Sequence, residues 1–265
     1  MPKMPELVLS LGRILILLAV VYALAAVWAH FAAPSMIFPQ PPVTYELTSD
    51  YIQLTAPDGV KLVARHWPNP SAKYTVLYLH GNYEQLGSVG DYLPQFVAAG
   101  YAVFALDYRG YGRSGGTPSE AGLYADTSAA YDYMRAKLGV PANRIVIFGY
   151  SLGGGPGAEL ARHQPVAGLV LQGAFVSAYR TLTRIPLFPG DKFVNITKVP
   201  ELKIPVLVIH GMADEVVSFW HGEKLYAAIT ARKASFYVPG GPHAGLADFT
   251  GPRYWEELRK FTDSL

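Results

Sequence analysis

The chain has 265 residues, of which 51% are hydrophobic and 16% charged, with a net charge of +2 and no cysteine. The length suits one large α/β domain or two smaller ones, and the apolar content argues against long disorder. The near-balanced charge argues against a nucleic-acid surface. Without cysteine there are no disulfides, no thiol nucleophile and no cysteine metal site, and the redox compartment stays undecided.

Ile14 to Ala29 carries no charge, and the apolar run continues past His30 through Phe31, Ala32 and Ala33. That is about 20 residues, enough to span a bilayer as a helix. Tyr22 and Trp28 suit an interface, and no polar face repeats at helical spacing as a core helix would require. The competing reading is a cleaved signal with Ala23-Leu24-Ala25 as its site. Glu6 in the leading region and the apolar residues beyond that site favour an uncleaved anchor. Lys3 and Arg13 precede the span and no Lys or Arg follows before Lys61, so the charge bias puts the body on the non-cytoplasmic side. The expected organisation is an anchor or signal segment over 1–33, a Pro-rich linker over 34–44 and one domain over 45–265. Four prolines between Pro34 and Pro42 are expected to forbid regular structure and to separate the span from the fold.

Tyr51 to Thr55 alternates at period two, Asp58-Gly59 turns the chain, and Val60 to Trp67 completes a hairpin. From there apolar strands alternate with helices. The strands are Thr75–Leu79, Ala102–Leu106, Ile145–Phe148, Gly168–Leu171, Val206–Ile209 and Ser235–Val238. The helices are Leu93–Ala99, Ala121–Leu138, one through Leu160 and Ala161, Phe219–Ile229 and Arg253–Phe261. Fully apolar strands in this order predict an α/β fold, a mostly parallel sheet with helices on both faces and antiparallel strands at one edge.

Gly149-Tyr150-Ser151-Leu152-Gly153 reads G-x-S-x-G between a strand and a helix, the context of a nucleophile elbow. A serine hydroxyl needs a base, and the base needs an acid to orient it. Asp214 follows the strand Val206–Ile209, and His243 follows the last strand in a glycine-framed loop. The order Ser, Asp, His is the one this architecture uses. Asp191 precedes a strand and Asp248 lies beyond the histidine, so both are weaker acids for the role. His80 and His210 end strands and read as packed scaffold. The oxyanion needs two N–H donors. Leu152 supplies one, and the loop Leu79-His80-Gly81-Asn82-Tyr83 supplies the other, from Asn82 in preference to Tyr83.

His80-Gly81-Asn82, Asp107 to Ser114, Gly149 to Gly154 and His210-Gly211-x-x-Asp214 together resemble the α/β-hydrolase superfamily. The nearest likeness is to membrane-anchored α/β-hydrolase-domain serine hydrolases, over roughly residues 51–265. The resemblance implies Ser151 as nucleophile, His243 as base and Asp214 as acid, with no metal and no cofactor. It makes Asp107 to Ser114 a structural loop. It also places a cap, here a short one over Phe175 to Lys203. Gly155-Pro156-Gly157 departs from a good helix former.

The expected activity is hydrolysis of a carboxylic ester or thioester through an acyl-enzyme. The alternatives are a peptidase or amidase of the same fold, or a non-catalytic anchored scaffold. Tyr83, Tyr150, Leu182 and Phe188 are the candidate substrate-binding residues. The partners expected are a small-molecule or lipid acyl ester and, through the N-terminal helix, a membrane. Because the cap is short, the site is expected to be open and to prefer acyl chains of about four to six carbons. A groove beside the membrane would instead favour long chains. Asn195-Ile196-Thr197 matches a glycosylation sequon.

Overall fold

The computed structural model describes residues 4–265, so Lys3, counted in the charge bias, lies outside the described residues. Eight strands form one sheet in the order β1-β2-β4-β3-β5-β6-β7-β8. They are β1 Tyr51–Thr55, β2 Lys61–Trp67, β3 Thr75–Leu79, β4 Ala102–Asp107, β5 Ile145–Tyr150, β6 Gly168–Gln172, β7 Val206–Gly211 and β8 Lys233–Val238. β1 and β2 pair antiparallel at one edge, and β2 joins β4 antiparallel. Every pairing from β4 to β8 is parallel. All five residues of β3 are buried, as are all six of β5. Strands covered on both faces need no polar alternation, so these segments read as continuous apolar runs.

The period-two pleat sorts side chains into two cores. Leu77, Leu79, Ile145 and Ile147 point to one, Val76, Tyr78, Val146 and Phe148 to the other. The first core is covered by α3 Glu120–Ala136, α4 Gly154–His163 and α7 Trp220–Ala228, through residues such as Leu123, Leu160 and Leu225. The second is covered by α2 Leu93–Ala98 and α9 Pro252–Asp263, with Phe96, Tyr254, Leu258 and Phe261 buried. Ser119 caps α3, its Oγ accepting the Gly122 N–H at 3.1 Å. Three short helices, α5 Arg180–Thr183, α6 Asn195–Lys198 and α8 Leu246–Thr250, have no counterpart in the sequence reading. Each spans about one turn, too short for a periodic signal.

The N-terminal helix, α1 Met4–Ile37, runs through Pro34 instead of ending before it. Proline lacks the N–H that would bond His30, but it sits on the exposed side. The next turn closes with Phe38 N–H donating to Pro34 O at 2.9 Å. By length and composition, Val8–Ile37 suffices to cross a membrane. No regular structure follows to Asp50, yet this stretch is not a free tether. Phe38 is buried with its ring 6.1 Å from that of Phe193. Gln85 Nε2 donates to Pro42 O at 2.5 Å, and Tyr45 O–H donates to the buried Asp107. The expected separation of span from fold is therefore corrected, because the intervening residues are part of the domain's packing.

Candidate active site

Parallel strands deliver their carboxyl ends to one rim, and β3 is where the chain order reverses, with β4 on one side and β5 on the other. Leu79 pairs with Gly149, so the loop after β3 and the turn after β5 emerge side by side. Sites form at such a switch point because neighbouring loops diverge there and leave a crevice.

Ser151 has φ +51°, a left-handed conformation that a side-chain-bearing residue adopts only at a cost. The surroundings impose it. A Cβ on Gly153 would lie 2.0 Å from the carbonyl oxygen of Leu79, and one on Gly149 2.7 Å from that of Gly153. Only glycines let the turn press this closely on β3. The glycines of α4 have a similar cause, since a Cβ on Gly155 would lie 2.4 Å from the Phe193 ring. Pro156 stands in the first turn of α4, where its missing N–H would have had no intrahelical acceptor.

The Ser151 hydroxyl lies 3.1 Å from His243 Nε2, and His243 Nδ1 lies 2.7 Å from Asp214 Oδ2. The other carboxylate oxygen, Oδ1, accepts the N–H groups of Val216 and Val217 at 2.9 and 2.7 Å. His210 Nε2–H donates to Val217 O at 2.7 Å and stands 3.3 Å from Asp214 Oδ2. Burial pulls the Asp214 carboxyl upward, but hydrogen bonds from His210, His243 and the Val217 N–H outweigh it and hold the group well below the usual carboxylate range. A charged acceptor therefore faces Nδ1 at neutral pH, which fixes the tautomer that leaves Nε2 free to accept the serine proton. Gly173, at φ +57°, makes room for the imidazole, since a Cβ there would sit 3.0 Å from His243 Cε1.

Across the rim, the loop after β3 is held from inside. Glu84 accepts the Gly81 N–H at 2.8 Å and the Tyr78 O–H at 3.4 Å. Burial pushes its carboxyl up to about 7, while those two bonds pull it down. His80 Nδ1–H donates to Gly81 O at 2.7 Å, and burial lowers its ring to about 4, so it stays neutral.

Above Ser151 lies a cavity of about 320 Å³, bordered by Asn82, Ser151 and Leu152. Leu182 and Phe188 of the cap line it, with Val216 and Val217 of the loop that carries Asp214. Trp28, Ala29, Ala32, Ala33, Met36 and Ile37 of α1 line its far side. Among the described residues, no charged one takes part in the lining.

The structure thus brings Ser151, Asp214 and His243 together, with Asn82 and Leu152 beside them. Asp191 instead accepts the N–H groups of Tyr179 and Lys192, each at 2.8 Å, and Asp248 Oδ1 lies 3.5 Å from Gln95 Nε2. Two expected substrate contacts lie elsewhere. Tyr83 is 71% exposed and outside the cavity lining. Tyr150 is buried, its ring 5.3 Å from the His243 ring and its O–H donating to His243 O at 3.4 Å. Its position next to the serine on β5 turns it toward the histidine loop and away from the cavity. The sequon is internal: Asn195 is 1% exposed and its Nδ2 donates to Phe175 O at 3.0 Å, which leaves no acceptor for a glycan. The reading of the sequence missed Glu84, the pairing of His210 with Asp214, and the whole α1 wall. A signal for the wall does exist: Ala25, Ala26, Ala29, Ala32, Ala33 and Ile37 recur at helical spacing.

Residues 70–190 match the family model for serine aminopeptidase, S33. The α/β-hydrolase domain-containing protein aho-3 of Caenorhabditis elegans is 38% identical over 207 residues, covering 74% of this chain and 59% of that protein. The α/β-hydrolase domain-containing protein 17B of Xenopus laevis is 34% identical over 203 residues, covering 72% of this chain and 67% of that protein. The match thus spans about three-fifths to two-thirds of these relatives' length. An esterase of Pyrococcus furiosus superposes with a TM-score of 0.72 at 18% identity, covering 85% of this chain and 96% of its own. The esterase RhEst1 of Rhodococcus gives a TM-score of 0.64 at 24% identity, covering 82% and 99%. At those identities the two solved structures speak for the fold alone. The chain belongs to the α/β-hydrolase superfamily and, within it, to the group that holds the domain-containing 17 and aho-3 proteins.

Proposed function

We propose that the protein is a serine hydrolase of carboxylic esters or thioesters, working through an acyl-enzyme on Ser151. The observation that carries this reading is the serine–histidine–aspartate chain, with links of 3.1 and 2.7 Å, at the floor of an uncharged cavity. Ser151 Oγ attacks the acyl carbonyl while His243 Nε2 takes its proton. The tetrahedral oxyanion is held by the N–H groups of Leu152 and Asn82. Collapse expels the alcohol or thiol, which leaves with the proton from His243. Water then attacks the acyl-enzyme by the same route, His243 taking its proton and returning it to Ser151, and the carboxylic acid departs. Asp214 orients the imidazole and stabilises the imidazolium formed in both halves.

A peptidase reading has the matched family's description in its favour. An aminopeptidase substrate carries an α-ammonium, and among the described residues the cavity lining offers no carboxylate to meet it. The uncharged lining suits an acyl chain better. For α1 the proposal is an uncleaved membrane anchor with the domain on the non-cytoplasmic side, the stretch ahead of Tyr22 entering the membrane while Tyr22 to Ile37 lies against the domain. An N-terminus sequenced at Ala26 would reveal a cleaved signal instead, and a C-terminal reporter active in the cytoplasm would reverse the orientation.

The test of the chemistry is a fluorophosphonate probe with a panel of p-nitrophenyl esters, an acyl-thioester and an aminoacyl amide. Wild type should be labelled and should turn over the esters, and Ser151→Ala should do neither while its circular dichroism is unchanged. Turnover of the amide alone would move the assignment to a peptidase. An inert wild type would leave the scaffold.

A further inference from the structure

We infer that the last turns of α1 are the acyl-binding wall of the active site, and that Ala29 and Ala32 set the length of chain the enzyme accepts. The inference rests on the acyl-hydrolase reading, but its geometry stands apart from it. Most of α1 is exposed, including Val21 at 54% and Leu24 at 65%. The residues that are not are mainly Ala25, Ala26, Ala29, Ala32, Ala33 and Ile37, a single face directed at the domain. Four of these, Ala29, Ala32, Ala33 and Ile37, line the same cavity as Ser151. A helix that packed there simply for stability would fill the space with larger side chains. Alanines leave it empty.

The helix is held in this pose from both ends of the contact. Tyr22 O–H donates to Leu187 O at 2.9 Å, and its ring stacks on Phe188 at 5.9 Å. At the other end Phe38 is buried against Phe193. Between them the cavity runs from Ser151 outward to Trp28 and Leu182, which are 68% and 74% exposed and so stand at its mouth. The occupant that fits is an unbranched alkyl chain: uncharged, narrow, and attached to a carbonyl that the serine can reach. The mouth lies beside the stretch of α1 that is apolar and exposed enough to meet lipid, so a chain can enter it from a bilayer surface.

Each methylene buried is worth roughly fourfold in affinity or kcat/KM, so a wall that displaces two or three should cost about 15- to 60-fold on a long ester. The test uses purified full-length protein in detergent micelles. In Ala32→Phe, the ratio of kcat/KM for the decanoate ester to that for the acetate ester should fall at least tenfold. A second variant exploits the absence of cysteine from the chain. In Ala32→Cys, the new thiol should react with methyl methanethiosulfonate, and free decanoate should slow that reaction at least tenfold while acetate does not. Val21→Cys, on the exposed side of the same helix, should show no protection. An unprotected thiol at position 32, or a chain-length profile in Ala32→Phe that matches wild type, would overturn the inference. The thiol arm does not depend on turnover. A wild type inert to every ester, with position 32 still shielded by decanoate, would sink the hydrolase reading and leave the wall standing.

Discussion

The floor and the wall of the cavity are built in different ways. On the floor, polar atoms are tied in place: Asp214 receives two backbone N–H groups and the His243 ring, and Glu84 holds the loop after β3 through the Gly81 N–H. These groups sit on loops at the carboxyl ends of parallel strands, where hydrogen bonds tie them to the rim of the sheet. The wall is apolar and comes from a helix 100 residues or more away in sequence from the serine, docked through small side chains and one tyrosine. The difference teaches that chemistry here depends on directional bonds that tolerate little displacement. Selectivity depends on shape, which a single methyl group can alter.

The largest expected effect breaks the floor. Ser151→Ala should lower kcat by about 10⁴ or more, and His243→Ala and Asp214→Asn each by roughly 10³ to 10⁴, with KM little changed. Steady-state kinetics on one ester decides this, and normal turnover in Asp214→Asn would hand the acid's role to another group. In contrast to Ala32→Phe, these losses should be the same for short and long esters.

Next in size is the joint between wall and domain. Phe38→Ala empties a buried site against Phe193 and should cost about 3 kcal/mol of stability, read from urea unfolding. An unchanged midpoint would restore a free linker between helix and fold.

A smaller effect lies in the pH response of the floor. Burial raises the Glu84 carboxyl from its ordinary 4.5 to about 7, so folding takes up a proton between those values. The contribution of this group to stability is greatest below pH 4.5 and is lost as pH rises through 7. Glu84→Gln removes that dependence. Relative to the variant, wild type should lose roughly 1 kcal/mol between pH 5 and 8, a figure reduced for the partial exposure of the side chain. A parallel pair of curves would show that Glu84 is ionised throughout. The least effect is expected from Tyr83→Ala. Its side chain is exposed and outside the cavity, so kcat/KM should change less than about twofold for any ester. A larger loss would return Tyr83 to the substrate.

The amino-acid sequence determined what local rules can carry. A short, largely apolar run such as Thr75–Leu79, too brief for a helix and set between turn signals, reads as a strand buried on both faces, and strand–Gly-x-Ser-x-Gly–helix calls for a tight turn. The Ser, Asp and His positions were legible because each follows a strand, and parallel strands bring their ends to one rim. Tertiary structure alone decided the rest. Pro34 stays in a helix because its exposed face tolerates the lost bond while the buried turn around it packs. Tyr150 turns to His243, Asn195 becomes an internal donor, and α1 closes the cavity. Each depends on a partner surface distant in the chain. Shape complementarity between such surfaces has no short-range signature, since the same alanines read equally well as lipid-facing until something is found packed against them.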